Sequence, residues 1–262
     1  MVKDSLSPAL ITENLATRFI GQKVIYHPRL ASTMEVARQA ARQGAAEGTV
    51  VVADEQNAGK GRRKRLWLSP RGSIALSIIL YPGMSHLPYL TMLASLAVAH
   101  SIEAVTGLEV QLKWPNDVLI EDKKVCGILI ESNLRGNTVA YAIIGIGINV
   151  NFRLADFPKI MTVATSLADE LKKDVSRAAV IRRLLVETER LYLALPPDGE
   201  SIYQEWRDRL ETLGRKVQVK SGETTLEGIA ESVARDGSLL LRHSNGSSTK
   251  IVAGDVSLRN YE

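Results

Sequence analysis

Two apolar runs, Thr49-Val-Val-Val-Ala-Asp54 and Ser73-Ile-Ala-Leu-Ser-Ile-Ile-Leu-Tyr81, bracket the segment that most restricts the fold. Both predict buried strands. Between them lies Gln56-Asn-Ala-Gly-Lys-Gly-Arg-Arg-Lys-Arg-Leu-Trp67, with five cations in residues 60 to 65. These five exceed the formal net charge of +4, so the rest of the chain is slightly acidic. Anchored between core strands, the loop is no disordered tail. Gly59 and Gly61 permit positive φ and close approach of a ligand, and Arg62, Arg63 and Arg65 offer planar forks suited to phosphate or carboxylate. It is not a Walker A loop, because Gly59-Lys60 is followed by Gly61 rather than Ser or Thr.

A length of 262 residues with 45% hydrophobic content is enough for one large and one small domain, divided at 1–213 and 214–262. No apolar run is long enough for a bilayer and the start lacks the order of a signal peptide, so a cytoplasmic protein is expected. A single cysteine, Cys126, excludes an internal disulfide or cysteine-based metal cluster, and four scattered histidines show no ligand spacing.

Along the chain, the pattern predicts a short amphipathic helix within residues 1–21, a strand over 23–26, and a helix from Ser32 to about Ala41. Ser32 and Glu35 have the spacing of a capping box. A cap also leaves amide donors at the positive end of that helix, where a carboxylate ligand can be received. A buried helix is predicted over 87–105. Strands follow at 110–114, 118–120, 125–131 and 138–148. Lys113 and Trp114 end one of these strands, an unusual place for a cation. Lys124 faces the opposite side from Lys123, since strand side chains alternate. Gly145 and Gly147 leave one strand face bare. Residues 152–165 read as a long loop, with helices starting at Ser166 and Ser176 and a third over 202–213. Trp206 and the charges around it would mark a hinge. From Gly214 the texture changes to short strands and polar turns, predicting a small antiparallel barrel.

Ser32-Thr33, the basic glycine loop with Trp67, Lys113-Trp-Pro-Asn-Asp117, Lys124-Val-Cys-Gly127 and Gly145-Ile-Gly-Ile-Asn149 occur in an order that resembles the biotin–protein ligases, from about residue 22 to the end. The resemblance implies an α+β fold of class II synthetase-like type, with a central mixed β-sheet, helices on one side and a small SH3-like C-terminal β-barrel. It implies a ligase that makes biotinyl-5′-AMP from ATP and biotin, with Mg²⁺, and then biotinylates a lysine of a carboxylase's biotin carboxyl carrier domain.

Residue by residue, it assigns Ser32, Thr33, Gln56, Lys60, Gly61, Arg62, Lys124 and Gly127 to biotin. Arg62, Arg63, Arg65, Trp67, Asn116, Lys124 and Asn149 go to ATP or the adenylate. Lys124 and Arg62 would be catalytic and Asp117 a candidate Mg²⁺ contact. Lys60, Lys64, Met34 and Cys126 depart from the usual motif. Ser32 lies too near the start for a preceding DNA-binding domain, no membrane association is implied, and a homodimer through an exposed sheet edge is an open expectation. The other readings are a lipoate or octanoyl transferase and, given a pI near 9.1, a nucleic-acid binder. The complete basic loop and the C-terminal barrel favour biotin, and the absence of an extended basic stripe disfavours nucleic acid.

Overall fold

In the computed structural model, which describes residues 6–195, 199–221 and 223–258, seven strands form one mixed sheet. From edge to edge they are β1 (Val24–His27), β2 (Val50–Ala53), β3 (Ile74–Leu80), β7 (Thr138–Ile148), β6 (Lys123–Arg135), β5 (Asp117–Ile120) and β4 (Gln111–Lys113). Only β1 and β2 pair in parallel. Alternation along the strands divides their side chains between two layers. Val50, Val52, Ile78, Leu80 and Ile144 enter the main core with α3 (Tyr89–Thr106) and α5 (Arg177–Leu193). Each fully buried side chain of this size contributes about 1.5–3 kcal/mol.

Val51, Ile79 and Ile143 point the other way and meet Met34, Ala37 and Ala41 of α2 (Thr33–Arg42). The helices therefore do not all lie on one side. Spacings of three and four residues give α2 a small apolar face of its own, and that face covers the second side of the sheet. α3 is long and apolar enough by composition to cross a membrane, contrary to the sequence expectation. It is instead the central helix of the core, buried from Leu90 to Ile102 on most of its surface and closed by Gly107 in the left-handed conformation.

Other boundaries shift for local reasons. The N-terminal helix α1 is only Pro8–Thr12, with Ser7 capping the Leu10 amide; Ile11 is buried while Leu10 is exposed. Residues 18–20 are instead held as a loop, because the buried Glu189 carboxylate accepts the amides of Arg18, Phe19 and Ile20. After α4 (Leu167–Leu171) and α5, α6 spans Glu200–Asp208 and stops short of residue 213. The chain beyond it extends alongside β4, where Leu112 bridges Leu210. Trp206 is buried in the core. Pro196 and Pro197 lie outside the described residues.

The C-terminal region is a separate antiparallel sheet of β8 (Lys216–Ser221), β9 (Thr224–Val233), β10 (Leu239–Arg242), β11 (Ser248–Ile251) and β12 (Asp255–Leu258), in the order β11-β10-β9-β8-β12. Its fifth strand lay beyond the reach of pattern reading. Val217, Val219, Ala230, Leu239, Leu241 and Ile251 bury its inner face.

Candidate active site

The floor of the site follows from strand register. Gly127 pairs with Gly147 across β6 and β7, and Gly145 lies two residues before Gly147 on the same face, so the α2 side of the sheet carries three adjoining positions without side chains, bordered by Leu129. A Cβ on Gly147 would come within 2.2 Å of Trp67 Nε1, one on Gly127 within 3.1 Å of the same ring, and one on Gly145 within 2.5 Å of Met34 Sδ. The bare patch is thus a seat for an indole and a thioether. A cavity of about 430 Å³ opens beside it.

At one end, the N-terminus of α2 supplies a polar wall. The Ser77 hydroxyl donates to Thr33 Oγ1 at 2.8 Å, and Gln56 Oε1 accepts from the Thr33 amide at 2.8 Å and from its hydroxyl at 3.2 Å. Gln56 Nε2 in turn donates to Ser69 Oγ at 3.0 Å. Ser32 does not close the expected capping box: its buried hydroxyl makes no hydrogen bond. Glu35, the other half of the box, instead accepts from Lys60 Nζ at 2.6 Å, and that bond holds its carboxyl below the usual range. Ser32 lines the cavity beside Thr33.

The basic loop forms the roof. Gly61 and Arg65 pair by a backbone bond of 2.8 Å, and the Trp67 amide donates to Gly59 O at 2.8 Å, folding the loop as a narrow hairpin. The left-handed residue is Arg63, at φ 53, rather than either glycine; Gly59 is required because a Cβ would lie 2.4 Å from Trp67 O. Arg62 Nη1 reaches Asn116 Oδ1 at 3.2 Å and Gly254 O at 3.0 Å. Arg63 and Arg65 both face Asp255, at 3.4 and 2.5 Å. Burial lowers the pKa of Arg62 most, Asp255 opposes that, and Arg63 adds to it.

The far wall carries the second cation. Lys124 Nζ lies 2.6 Å from Asp117 Oδ1 and 5.1 Å from the centroid of Trp67, a cation–π distance. Asn116 Nδ2 donates to Ile128 O at 2.6 Å, which ties the turn before β5 to β6. Asn149, nearly fully buried, donates to Thr165 O at 2.9 Å. The end of the 152–165 loop adds to β6 itself, with the Lys124 amide bonded to Val163 O and the Thr165 amide to Lys124 O. Ile160 and Val163 of that loop border the cavity. Burial drives the Cys126 thiol far above its ordinary range, leaving it inert.

Ser32, Thr33, Gln56, Lys60, Gly61, Arg62, Arg65 and Trp67 line this one cavity, and so do Asn116, Asp117, Lys124, Gly127 and Asn149. Arg63 lies outside the lining, turned toward Asp255. Sequence reading missed Ser69, Ser77, Leu129, Gly254 and Asp255. No local signal marks Asp255, whose partners lie 190 and 192 residues away.

An α+β sheet with a polar helix end, a glycine floor and two opposed cation sites defines the class of proteins built to hold an anionic ligand across a sheet. Residues 26–149 match the model of the Biotin/lipoate A/B protein ligase family, and residues 212–259 that of the Biotin protein ligase C terminal domain. The bifunctional ligase/repressor BirA of Bacillus subtilis is 38% identical over 97% of this chain and 79% of its own length. The biotin–[acetyl-CoA-carboxylase] ligase of Mycobacterium tuberculosis is 30% identical over 97% of both chains. A biotin protein ligase from Aquifex aeolicus, solved in complex with biotin and ATP, superposes with a TM-score of 0.78 at 30% identity, covering 92% of this chain and all of that one. The chain belongs to the biotin protein ligase family.

Proposed function

We infer that this chain is an ATP-dependent biotin–protein ligase. A carboxylate oxygen of biotin attacks the α-phosphorus of ATP and pyrophosphate leaves. The amine of an acceptor lysine then attacks the carbonyl carbon of the mixed anhydride, losing a proton as AMP departs. The observation that carries this reading is the convergence of Lys124 and Arg62, from separate segments, on one cavity over a glycine floor. Two anions must meet there, and fixed cations offset both their repulsion and the charge that grows in the transition state.

In this reading Ser32, Thr33, Gln56 and the Gly127 backbone receive the head and tail of biotin, with Lys60 and Gly61 above them. Lys124 serves the reacting carboxylate and α-phosphate. Arg62, Arg63, Arg65, Trp67, Asn116 and Asn149 serve the nucleotide and the adenylate. The carboxylates near the cavity do not make a protein-built metal site. Asp117 is paired with Lys124, Asp255 faces arginines, and no group of three metal-ligating acids, histidines or cysteines occurs among the described residues. Magnesium is therefore taken to enter with the nucleotide, as part of the substrate, with Asp117 as its candidate protein contact.

The acceptor is taken to be the biotin carrier domain of a biotin-dependent carboxylase, and the setting the cytoplasm. The catalytic part is assigned to residues 1–213 and the C-terminal part to 214–262. The open edge at β1 is the place for a homodimer contact. Mass spectrometry of a carrier domain incubated with the protein, ATP, Mg²⁺ and biotin tests the reaction: the expected result is one biotinyl addition on one lysine, and an unmodified carrier domain would overturn the reading.

A further inference from the structure

The two hydrogen-bond acceptors of Arg62 trace back to one buried tryptophan, and a third contact, Asp255 Oδ1 at 3.9 Å, lies next to the Gly254 acceptor in the chain. Trp114 is 1% exposed, its amide donates to Thr212 Oγ1 at 3.0 Å, and its indole Nε1 donates to Gly237 O at 2.8 Å. Gly237 belongs to the turn between β9 and β10 of the C-terminal sheet. A buried indole N–H is costly without a partner, and here the partner comes from the other domain, so the bond is made only when that sheet is docked.

From Trp114 the first route to Arg62 is short: two residues on, Asn116 Oδ1 accepts from Arg62 Nη1. The second route crosses the C-terminal sheet. Asp236, beside Gly237, caps Ser238 and lies 2.8 Å from Lys250 Nζ on β11. Four residues past Lys250, Gly254 O accepts from the same Arg62 nitrogen. The turn is thus tied by an ion pair to β11, the strand that leads into the β11–β12 connection carrying Gly254. Tyr203 adds to the docking from α6, its hydroxyl donating to Val233 O at 2.6 Å.

We propose that Trp114 is a positioning residue for Arg62: by fixing the Asp236–Gly237 turn it sets where the Gly254 carbonyl stands, and with Asn116 it aims the guanidinium over the cavity. Trp114 also borders the cavity, and in this role it acts through Arg62. The part of the proposal that concerns the adenylate rests on the reaction inferred above.

The variant is Trp114→Phe, which removes the N–H donor and keeps an aromatic ring, compared alone and with Arg62→Ala. Hydrogen exchange of the ligand-free protein reads the docking directly. Loss of one buried bond predicts about tenfold faster exchange at residues 252–256. Release of preformed biotinyl-adenylate, followed by filtration, is expected to quicken by about tenfold in Trp114→Phe but by less than twofold when added to Arg62→Ala, with biotin affinity unchanged. Wild-type exchange at 252–256 would overturn the proposal, as would equal acceleration with and without Arg62, which would make Trp114 merely structural. If Trp114→Phe loses its cooperative melt, Tyr203→Phe loosens the same docking face and must show the same two effects; their absence there also refutes it. Because the exchange measurement uses no ligand, a wild-type protein that makes no adenylate would count against the proposed reaction and leave the docking result standing.

Discussion

The floor of the cavity and its roof are built by opposite means. The floor is shape: Gly127, Gly145 and Gly147 are fixed by the register of two paired strands, backed by a core of buried isoleucine and leucine. The roof is charge: Arg62, Arg63 and Arg65 are held by Asn116, Gly254 and Asp255, mostly in half-exposed contacts. A core-backed sheet does not yield to solvent, whereas exposed ion pairs contribute little each and weaken with salt. Under the function proposed above, bond-making belongs to Lys124, which stands on the same strand β6 as Gly127 of the floor, and retention of the intermediate belongs to the roof.

The contrast breaks hardest at Lys124. Lys124→Ala is expected to slow adenylate formation by about 10²–10³-fold while biotin binding stays measurable, because the cation acts on charge that develops in the transition state. Rapid-quench assay of biotinyl-adenylate reads this, and a rate near wild type would remove Lys124 from the chemistry. Next in size is Arg62→Gly. It should still make the adenylate but hold it about ten- to hundredfold less well, the equivalent of a charge-assisted bond of roughly 1.5–3 kcal/mol. Streptavidin blotting of an added bystander protein would then show biotin on lysines the enzyme does not recognise, and no excess over wild type would show that Arg62 is not the retaining residue.

Gly147→Ala sharpens the comparison from the floor. Its new methyl meets the Trp67 indole, so overpacking of about 1–3 kcal/mol is expected, together with weaker ATP binding as the indole leaves its seat. Calorimetric melting and ATP titration report both, and an unchanged melt would mean that the seat is not rigid. The smallest effect is expected from pH at the back of the C-terminal sheet. Lys250 first, and Ser238 next, hold the Asp236 carboxyl down to about 2 from an ordinary 3.8. A depressed acid stabilises fully above its unfolded value and loses that contribution as pH falls through its folded value. Exchange at the Gly237 amide should therefore quicken between about pH 3.8 and about pH 2, and Asp236→Asn should flatten that rise.

The floor was legible in the sequence because it depends on neighbours. Alternate glycines on an apolar strand announce a bare face, and apolar runs announce the strands that frame it. Lys124 could be separated from Lys123 by side-chain alternation alone. The roof was legible only in part: the cations were plain, yet their partner Asp255 stands on a strand that no pattern predicted. Ser32 shows the opposite failure. Its local spacing with Glu35 fits a capping box, but Lys60 from the loop takes Glu35 and leaves the serine hydroxyl unbonded. The local motif places both residues at the start of the helix without fixing their side-chain partners, and Ser32 faces the cavity.

The separation of chemistry from retention is tested most directly by following pyrophosphate release and protein-bound adenylate together, in a single turnover of wild type, Lys124→Ala and Arg62→Gly. The predicted result is near-normal pyrophosphate release with adenylate lost to solution for Arg62→Gly, and slow pyrophosphate release with whatever adenylate forms remaining bound for Lys124→Ala. Slow pyrophosphate release from Arg62→Gly, or free adenylate from Lys124→Ala, would contradict the division between floor and roof.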